Sequence, residues 1–254
     1  MHRFFVRPED IADHRVCLDL DQSRHIDKVL RLAPGDKILF FDGLGQEYEL
    51  LLGGLQNDQV WGEIIQTLQR DTEPPFILSL VQGIAKGDKM DLIIQKAVEL
   101  GVAAIYPVFS QYAVVKLEKE RAGKKQARWQ TIAREACKQC RRNRVPTVHP
   151  PRTFQSMLEM MAGKPAIMLY ENEAHLGLKE LLAEKRRTLL SGQELFLIVG
   201  PEGGFAPAEV TAARAQGIMV AGLGPRILRT ETAALVAASI ILYELADLGQ
   251  GRRN

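Results

Sequence analysis

Two short stretches combine glycine with charge in a way that could hold a small ligand. The first is Gly200-Pro201-Glu202-Gly203-Gly204, which follows the apolar run Leu195-Phe196-Leu197-Ile198-Val199. Without a Cβ, glycine lets backbone amides and carbonyls come close to a ligand. Such a loop can also be no more than a structural turn between strand and helix. It carries neither the Gly-x-Gly-x-x-Gly spacing nor a Lys-Ser/Thr pair, so no dinucleotide or phosphate loop is indicated. Glu202 would repel a phosphate, and a cationic or neutral ligand group suits the loop better. The second stretch, Leu223-Gly224-Pro225-Arg226-Ile227-Leu228-Arg229-Thr230-Glu231-Thr232-Ala233, sets two guanidiniums and a carboxylate at a strand end. Open α/β sheets bind ligands at that edge. A helix-entry loop with solvated charges is the plainer alternative.

Other chemistry-bearing groups are sparser. From Arg134 to Arg152 the cations Arg134, Lys138, Arg141, Arg142, Arg144 and Arg152 face only Glu135, a pattern fit for phosphate contacts or for a solvated helix face. Cys137-Lys138-Gln139-Cys140 is a single Cys-x-x-Cys with no further ligands at zinc spacing, and it reads as small side chains buried on a helix. His2, His14, His25, His149 and His175 show no ligand spacing and no nucleophile-base arrangement, so no metal site is expected.

The elements that must position these groups change rhythm along the chain. Strands are expected at Arg15–Leu20, Lys37–Phe41, Glu47–Leu52 and Gln59–Leu68, and their short spacing suggests a small β-barrel. Ser23 would cap a helix through His25–Leu32. Asp71-Thr72-Glu73-Pro74-Pro75 is polar and then rigid, which sets a boundary between residues 1–72 and 73–254. Beyond it, strands at Phe76–Val81, Val102–Val108, Ala166–Tyr170, Leu195–Val199 and Met219–Leu223 alternate with helices at Lys89–Leu100, Ala127–Cys140 and from Pro207. That is the signature of an α/β layer fold. Thr232 would cap an almost wholly apolar helix, Ala233–Leu248, needing cover on every side, from its own core or from a second subunit.

The 254 residues are 46% hydrophobic and 25% charged, which suits a globular chain with a substantial core. A net charge of +2 announces no polyanion partner, so any nucleic-acid surface must come from local clustering. No apolar run nears the roughly 20 residues of a membrane span, and the N-terminus lacks a leader pattern. With three cysteines, the expectation is a soluble cytoplasmic protein with no membrane contact.

Taken together, these stretches resemble the SPOUT methyltransferases, and specifically the family that makes 3-methyluridine in 16S rRNA. The matching stretches are Ile198–Phe205 and Leu223–Ala233; Lys86-Gly87-Asp88-Lys89-Met90 leading to Gln95–Val102; Arg141–Pro146; and His25-x-x-x-Val29-Leu30-Arg31-Leu32. They span nearly the whole chain in order. The sequence departs from the family pattern at Lys138, usually an acid, and at Arg141, usually a small residue.

The resemblance implies an N-terminal PUA-like β-barrel and an α/β C-terminal domain, a mostly parallel sheet flanked by helices and tied in a trefoil knot. It implies S-adenosylmethionine as cofactor, a homodimer, and 16S rRNA or the assembled small subunit as partner. Leu169, Gly200, Pro201, Glu202, Gly203, Leu223, Gly224, Ile227, Leu228 and Thr232 would then contact the cofactor. Arg229 would favour the uracil anion as it forms, and Glu202 or Glu231 could accept the proton. Arg3, Arg7, His25, Arg31, Lys86, Lys138, Arg141, Arg142 and Arg144 become RNA-contact candidates. A ribose 2′-O-methyltransferase of the same fold and a non-catalytic ribosome-assembly factor remain the alternatives.

Overall fold

The computed structural model describes residues 2–70, 72–112, 119–190, 194–246 and 248–249. Contacts divide the chain into two units, Met1–Glu73 with Cys137–Val145, and Pro74–Ala136 with Pro146–Asn254. The first unit therefore includes a segment from far downstream that a single cut at the prolines does not contain.

The first unit is a six-stranded sheet. Its strands are β1 (Arg3–Phe5), β2 (Ile11–Ala12), β3 (Arg15–Cys17), β4 (Lys37–Phe41), β5 (Glu47–Gln56) and β6 (Gln59–Leu68). They lie in the order β1-β4-β5-β6-β3-β2, antiparallel except for β1 on β4. Alternating residues from this sheet, among them Phe4, Val16, Ile38, Phe40, Leu50 and Val60, form one apolar core. The β5–β6 turn places Asn57 and Asp58 at φ of 52° and 62°, a conformation these two residue types tolerate and hairpins favour.

The helix expected from Ser23 starts earlier. Asp19 caps α1 (Leu20–Arg24), accepting from the amide of Gln22 at 2.8 Å, which also ends the preceding strand at Cys17. Ser23 lies buried inside the helix, where its hydroxyl accepts from the Val60 amide at 2.8 Å and ties α1 to β6. The chain continues as a wider π turn over His25–Leu30 and stops at Arg31, in the left-handed region at φ 53°.

The second unit alternates strand and helix. Its elements in order are β7 (Ile77–Gly83), α2 (Lys89–Leu100), β8 (Ala104–Phe109), α3 (Lys119–Cys140), β9 (Thr147–Val148), β10 (Arg152–Thr153) and α4 (Phe154–Met160). There follow β11 (Ala166–Leu169), α5 (Leu178–Leu189), β12 (Glu194–Val199), α6 (Pro207–Ala215), β13 (Met219–Ala221) and α7 (Thr230–Leu245). The last turn of α3 belongs to the first unit. All strands are parallel, in the order β10-β8-β7-β12-β11-β13, with β9 also on β8. Parallel strands are covered on both faces, so β12 is buried continuously from Leu195 to Val199. Helix α2 buries Met90, Ile93, Ile94, Ala97 and Val98 and ends at Gly101, whose φ of 112° suits glycine.

Helix α7 begins three residues earlier than a Thr232 cap would require. Its N-cap is Arg229, which makes no side-chain cap bond, and Thr232 is exposed in the first turn. Thr230 instead carries the polar contact at this end. Inward, α7 buries Ala234, Ala237, Ala238, Ile241, Leu242 and Leu245, while Val236 and Tyr243 are exposed. Among the described residues, the chain's own core covers the inward side of α7 and leaves Val236 and Tyr243 uncovered.

Candidate functional site

The C-terminal ends of β7, β11, β12 and β13 meet around the glycine loop. The loop is clasped to the start of α7: the Thr230 hydroxyl donates to the Gly200 carbonyl at 2.5 Å. Below it, the fully buried Gln82 amide donates to Thr230 Oγ1 at 3.0 Å and to the Gly83 carbonyl at 2.9 Å, with the Gly200 carbonyl at 3.4 Å. Burying this polar group is tolerable only because its donors are satisfied; its Oε1 has no partner among the described residues. Pro201 is buried and packs onto Gly83, where a Cβ would collide with the proline ring. The space between the ends of β7 and β12 is thereby filled by Pro201.

The approach of the second stretch is set by Gly222. Its amide donates to the Leu176 carbonyl and its carbonyl accepts from the Leu178 amide, both at 2.9 Å. A Cβ there would stand 2.7 Å from the Glu173 carbonyl, so only glycine passes the loop that follows β11. From β13 at the sheet edge, the chain then crosses the ends of β11 and β12 to begin α7 beside Gly200. On the way Gly224 has φ 92° and nothing within 4 Å of its missing Cβ. Leu223 and Leu228 are half-buried, and Ile227 is 87% exposed, an apolar side chain presented to solvent. Leu169, at the end of β11, is 8% exposed.

The carboxylates singled out as proton acceptors are not free. Glu202 accepts from the Lys86 amide at 3.0 Å, and the Lys89 ammonium lies 3.3 Å from Glu202 and 3.5 Å from Glu231. Burial pushes the Glu202 carboxyl up, but the amides of Glu202 and Lys86 and the Lys89 ammonium outweigh it and hold the group below the usual carboxylate range. A carboxylate so stabilised is a poor base. Arg226 and Arg229 are exposed and have no ion pair among the described residues. Lys89 and Gln82 escaped the sequence reading as site residues. The only signal was for Lys89, within the Lys86–Met90 stretch. Tyr112, 46% exposed, and Glu171 also border the glycine loop, at Gly203 and Gly204 respectively.

These residues fit S-adenosylmethionine. The open glycine backbone at Gly224, the apolar Leu169, Leu223 and Leu228, and the absence of any free lysine in the glycine loop suit a cationic, adenine-bearing ligand better than a phosphate. Among the described residues no three His, Cys, Asp or Glu side chains cluster as metal ligands would.

Comparison with known proteins bears on the same segments. Residues 72–242 match the model of an RNA methyltransferase domain, and residues 18–65 that of an RNA methyltransferase PUA domain. The chain is 37% identical, over 88% of both chains, to the ribosomal RNA small subunit methyltransferase E of Bacillus subtilis. It belongs to the ribosomal RNA small subunit methyltransferase E family. The corresponding Synechocystis protein is 32% identical, over 94% of this chain and 77% of its own. Among solved structures, the Neisseria gonorrhoeae family member bound to S-adenosyl methionine superposes with a TM-score of 0.85 at 36% identity, covering 97% of this chain and 99% of the other. The fold is accordingly the SPOUT, trefoil-knot α/β domain with an N-terminal PUA-like domain.

Not every basic residue of this family member can meet RNA. Arg3 is a buried structural cation: Nε donates to Glu47 at 2.7 Å, Nη1 to the Cys137 carbonyl at 2.9 Å, and Nη2 to the Arg142 carbonyl at 2.9 Å and Asn143 Oδ1 at 2.6 Å. Its guanidinium also lies 3.8 Å from the centre of the Phe41 ring. Arg142 is 3% exposed and pairs with Glu73. Both are removed from the RNA candidates because their donors are spent inside the first unit. Arg7 is exposed but paired with Asp10 at 2.9 Å. Arg31, Lys86, Arg141, Arg144 and His25 are exposed, and Lys138 is half-buried. Cys137 is buried, and burial pushes its thiol up to about 12, so it is unreactive.

Proposed function

We propose that this chain transfers the methyl group of S-adenosylmethionine to N3 of a uracil in 16S rRNA. The observation that carries the reading is the clasp from Thr230 to Gly200 and Gln82, which brings an open glycine cradle and the unpaired Arg229 to one sheet edge. When bound, S-adenosylmethionine supplies an activated methyl on a sulfonium. Gly200, Gly203, Gly224 and Ile227 would hold and orient it, with Leu169, Leu223 and Leu228 beside its adenine. Arg229, at the positive end of α7, stabilises the anion that forms as N3 loses its proton. Glu202, engaged by Lys86 and Lys89, positions the loop rather than taking that proton. Residues 1–72 bind RNA through Arg7, His25 and Arg31, joined by Arg141 and Arg144 from the downstream segment of the first unit, and the rest of residues 73–254 carries the chemistry. The target base must be unpaired or flipped, since N3 is engaged in a duplex.

A second copy of the chain covers Val236 and Tyr243 on α7, giving a homodimer, and the enzyme works in the cytoplasm where ribosomes are. Light scattering checks the first point: a monomeric mass at micromolar concentration refutes it. For the reaction, purified protein is incubated with S-adenosylmethionine and either naked 16S rRNA or small subunits lacking the modification. Nucleoside mass analysis should show 3-methyluridine. A 2′-O-methylated ribose, or no product with either substrate, would refute the proposal.

A further inference from the structure

Glu171 follows the end of β11 and presses its carboxylate on the glycine loop. A Cβ on Gly204, which has φ 69°, would fall on Glu171 Oε1 and stand 3.2 Å from Oε2. Two residues further on, Glu173 is fully engaged, by the Arg214 guanidinium and by the amides of His175 and Leu176. Glu171 has no hydrogen bond or ion pair among the described residues. A carboxylate only accepts, so this one stands beside the cradle with both oxygens available for donors. Leu169 lies on the same strand end, two residues earlier.

We infer that Glu171 binds the ribose hydroxyls of the methyl donor, a role that rests on the S-adenosylmethionine reading above. A vicinal diol offers two donors at the spacing of two carboxylate oxygens. An acid beyond the strand next to a glycine turn is also how dinucleotide folds grip a ribose. The donor's ammonium is the competing partner for a free carboxylate, and the choice of ligand separates the two.

The test is calorimetric and needs no turnover. The probes are S-adenosylmethionine, 5′-methylthioadenosine, which keeps adenine and ribose but has no ammonium, and the 2′-deoxy form of the latter. They are titrated into the wild-type chain, Glu171→Ala and Glu171→Gln, with thermal unfolding confirming that each is folded. Wild type should lose about tenfold in affinity on removal of the hydroxyl, as for a hydrogen bond to a charged acceptor. Glu171→Ala should bind 5′-methylthioadenosine about tenfold more weakly and no longer distinguish the deoxy form. Glu171→Gln, keeping one acceptor oxygen, should fall between, and it carries the same comparison if the alanine variant does not fold. Unchanged binding of 5′-methylthioadenosine, or a loss seen only with S-adenosylmethionine, overturns the ribose assignment while leaving the methyl-donor site standing. Failure of the wild type to bind S-adenosylmethionine overturns both.

Discussion

Replacing Arg3 by methionine separates two roles for one residue. The side chain is 8% exposed and its partner Glu47 1% exposed, so the pair lies out of water. Methionine fills much of the space but leaves Glu47 with only Arg70, at 3.2 Å and itself 48% exposed. It also strips donors from the Cys137 and Arg142 carbonyls and from Asn143. Removing one member of a buried pair costs about 3–5 kcal/mol, because the other charge stays buried without its counterion. The midpoint of thermal unfolding should therefore fall by roughly 10 °C. Adding Glu47→Gln should recover part of that loss, since no buried charge then lacks its partner. Equilibrium unfolding in urea of the wild type, both single variants and the double variant measures this coupling directly. If Arg3→Met unfolds like the wild type and instead weakens RNA binding, Arg3 is an RNA contact and the burial argument is wrong.

Thr230→Val removes the hydroxyl that joins Gly200 to Gln82, leaving a buried amide donor short of an acceptor; the expected cost is about 1–3 kcal/mol, with weaker S-adenosylmethionine binding by calorimetry, and Thr230→Ser should restore both. Lys89→Met leaves Glu202 and Glu231 without their shared cation. As Glu202 is held below its usual range in the folded chain, the contribution of this contact is present above that range and lost on acidification. The deficit of the variant in unfolding midpoint should thus be largest near pH 7 and shrink as the pH falls. His149 stacks on Tyr106 with ring centres 4.1 Å apart, and burial first, then Arg152, pushes it below its ordinary value of 6.5. Its neutral form is the folded one, so its contribution is complete above that value and is lost as pH drops below it. His149→Phe should flatten the slope of stability between pH 6.5 and 5, and an unchanged slope would rule this group out.

What could be read from the residues was what local periodicity encodes. Helix α2 has its apolar face at helical spacing and a glycine where it must stop, and β4 and β6 lie between clear turn signals. The glycine loop could be found because Gly200, Gly203 and Gly204 cluster after an unbroken apolar strand. Helices α4 and α5 were missed, α4 because it is only seven residues long and α5 because its apolar positions are set among charges. Arg3 and Arg142 looked like surface cations because their partners are distant: Glu47 is 44 positions from Arg3, and Glu73 is 69 from Arg142. The same holds at the site. Whether Glu202 is a free base depends on Lys89, which is brought from another strand end, and no spacing rule connects them. Cys137–Val145 joins the first unit only in three dimensions.

The passage at Gly222 also constrains the order of events during synthesis. The strands of the parallel sheet are complete at β13, yet the helix that covers β7 and β12 and packs on α2 is made after all of them. Until α7 leaves the ribosome and is drawn past the Leu176–Leu178 segment, Gln82 has no hydroxyl to meet and the apolar surface of β12 stays open on one side. A nascent chain of this protein is consequently exposed to aggregation until α7 has been made, and loss of a few turns of α7 should harm its yield far more than loss of a similar length from an exposed loop.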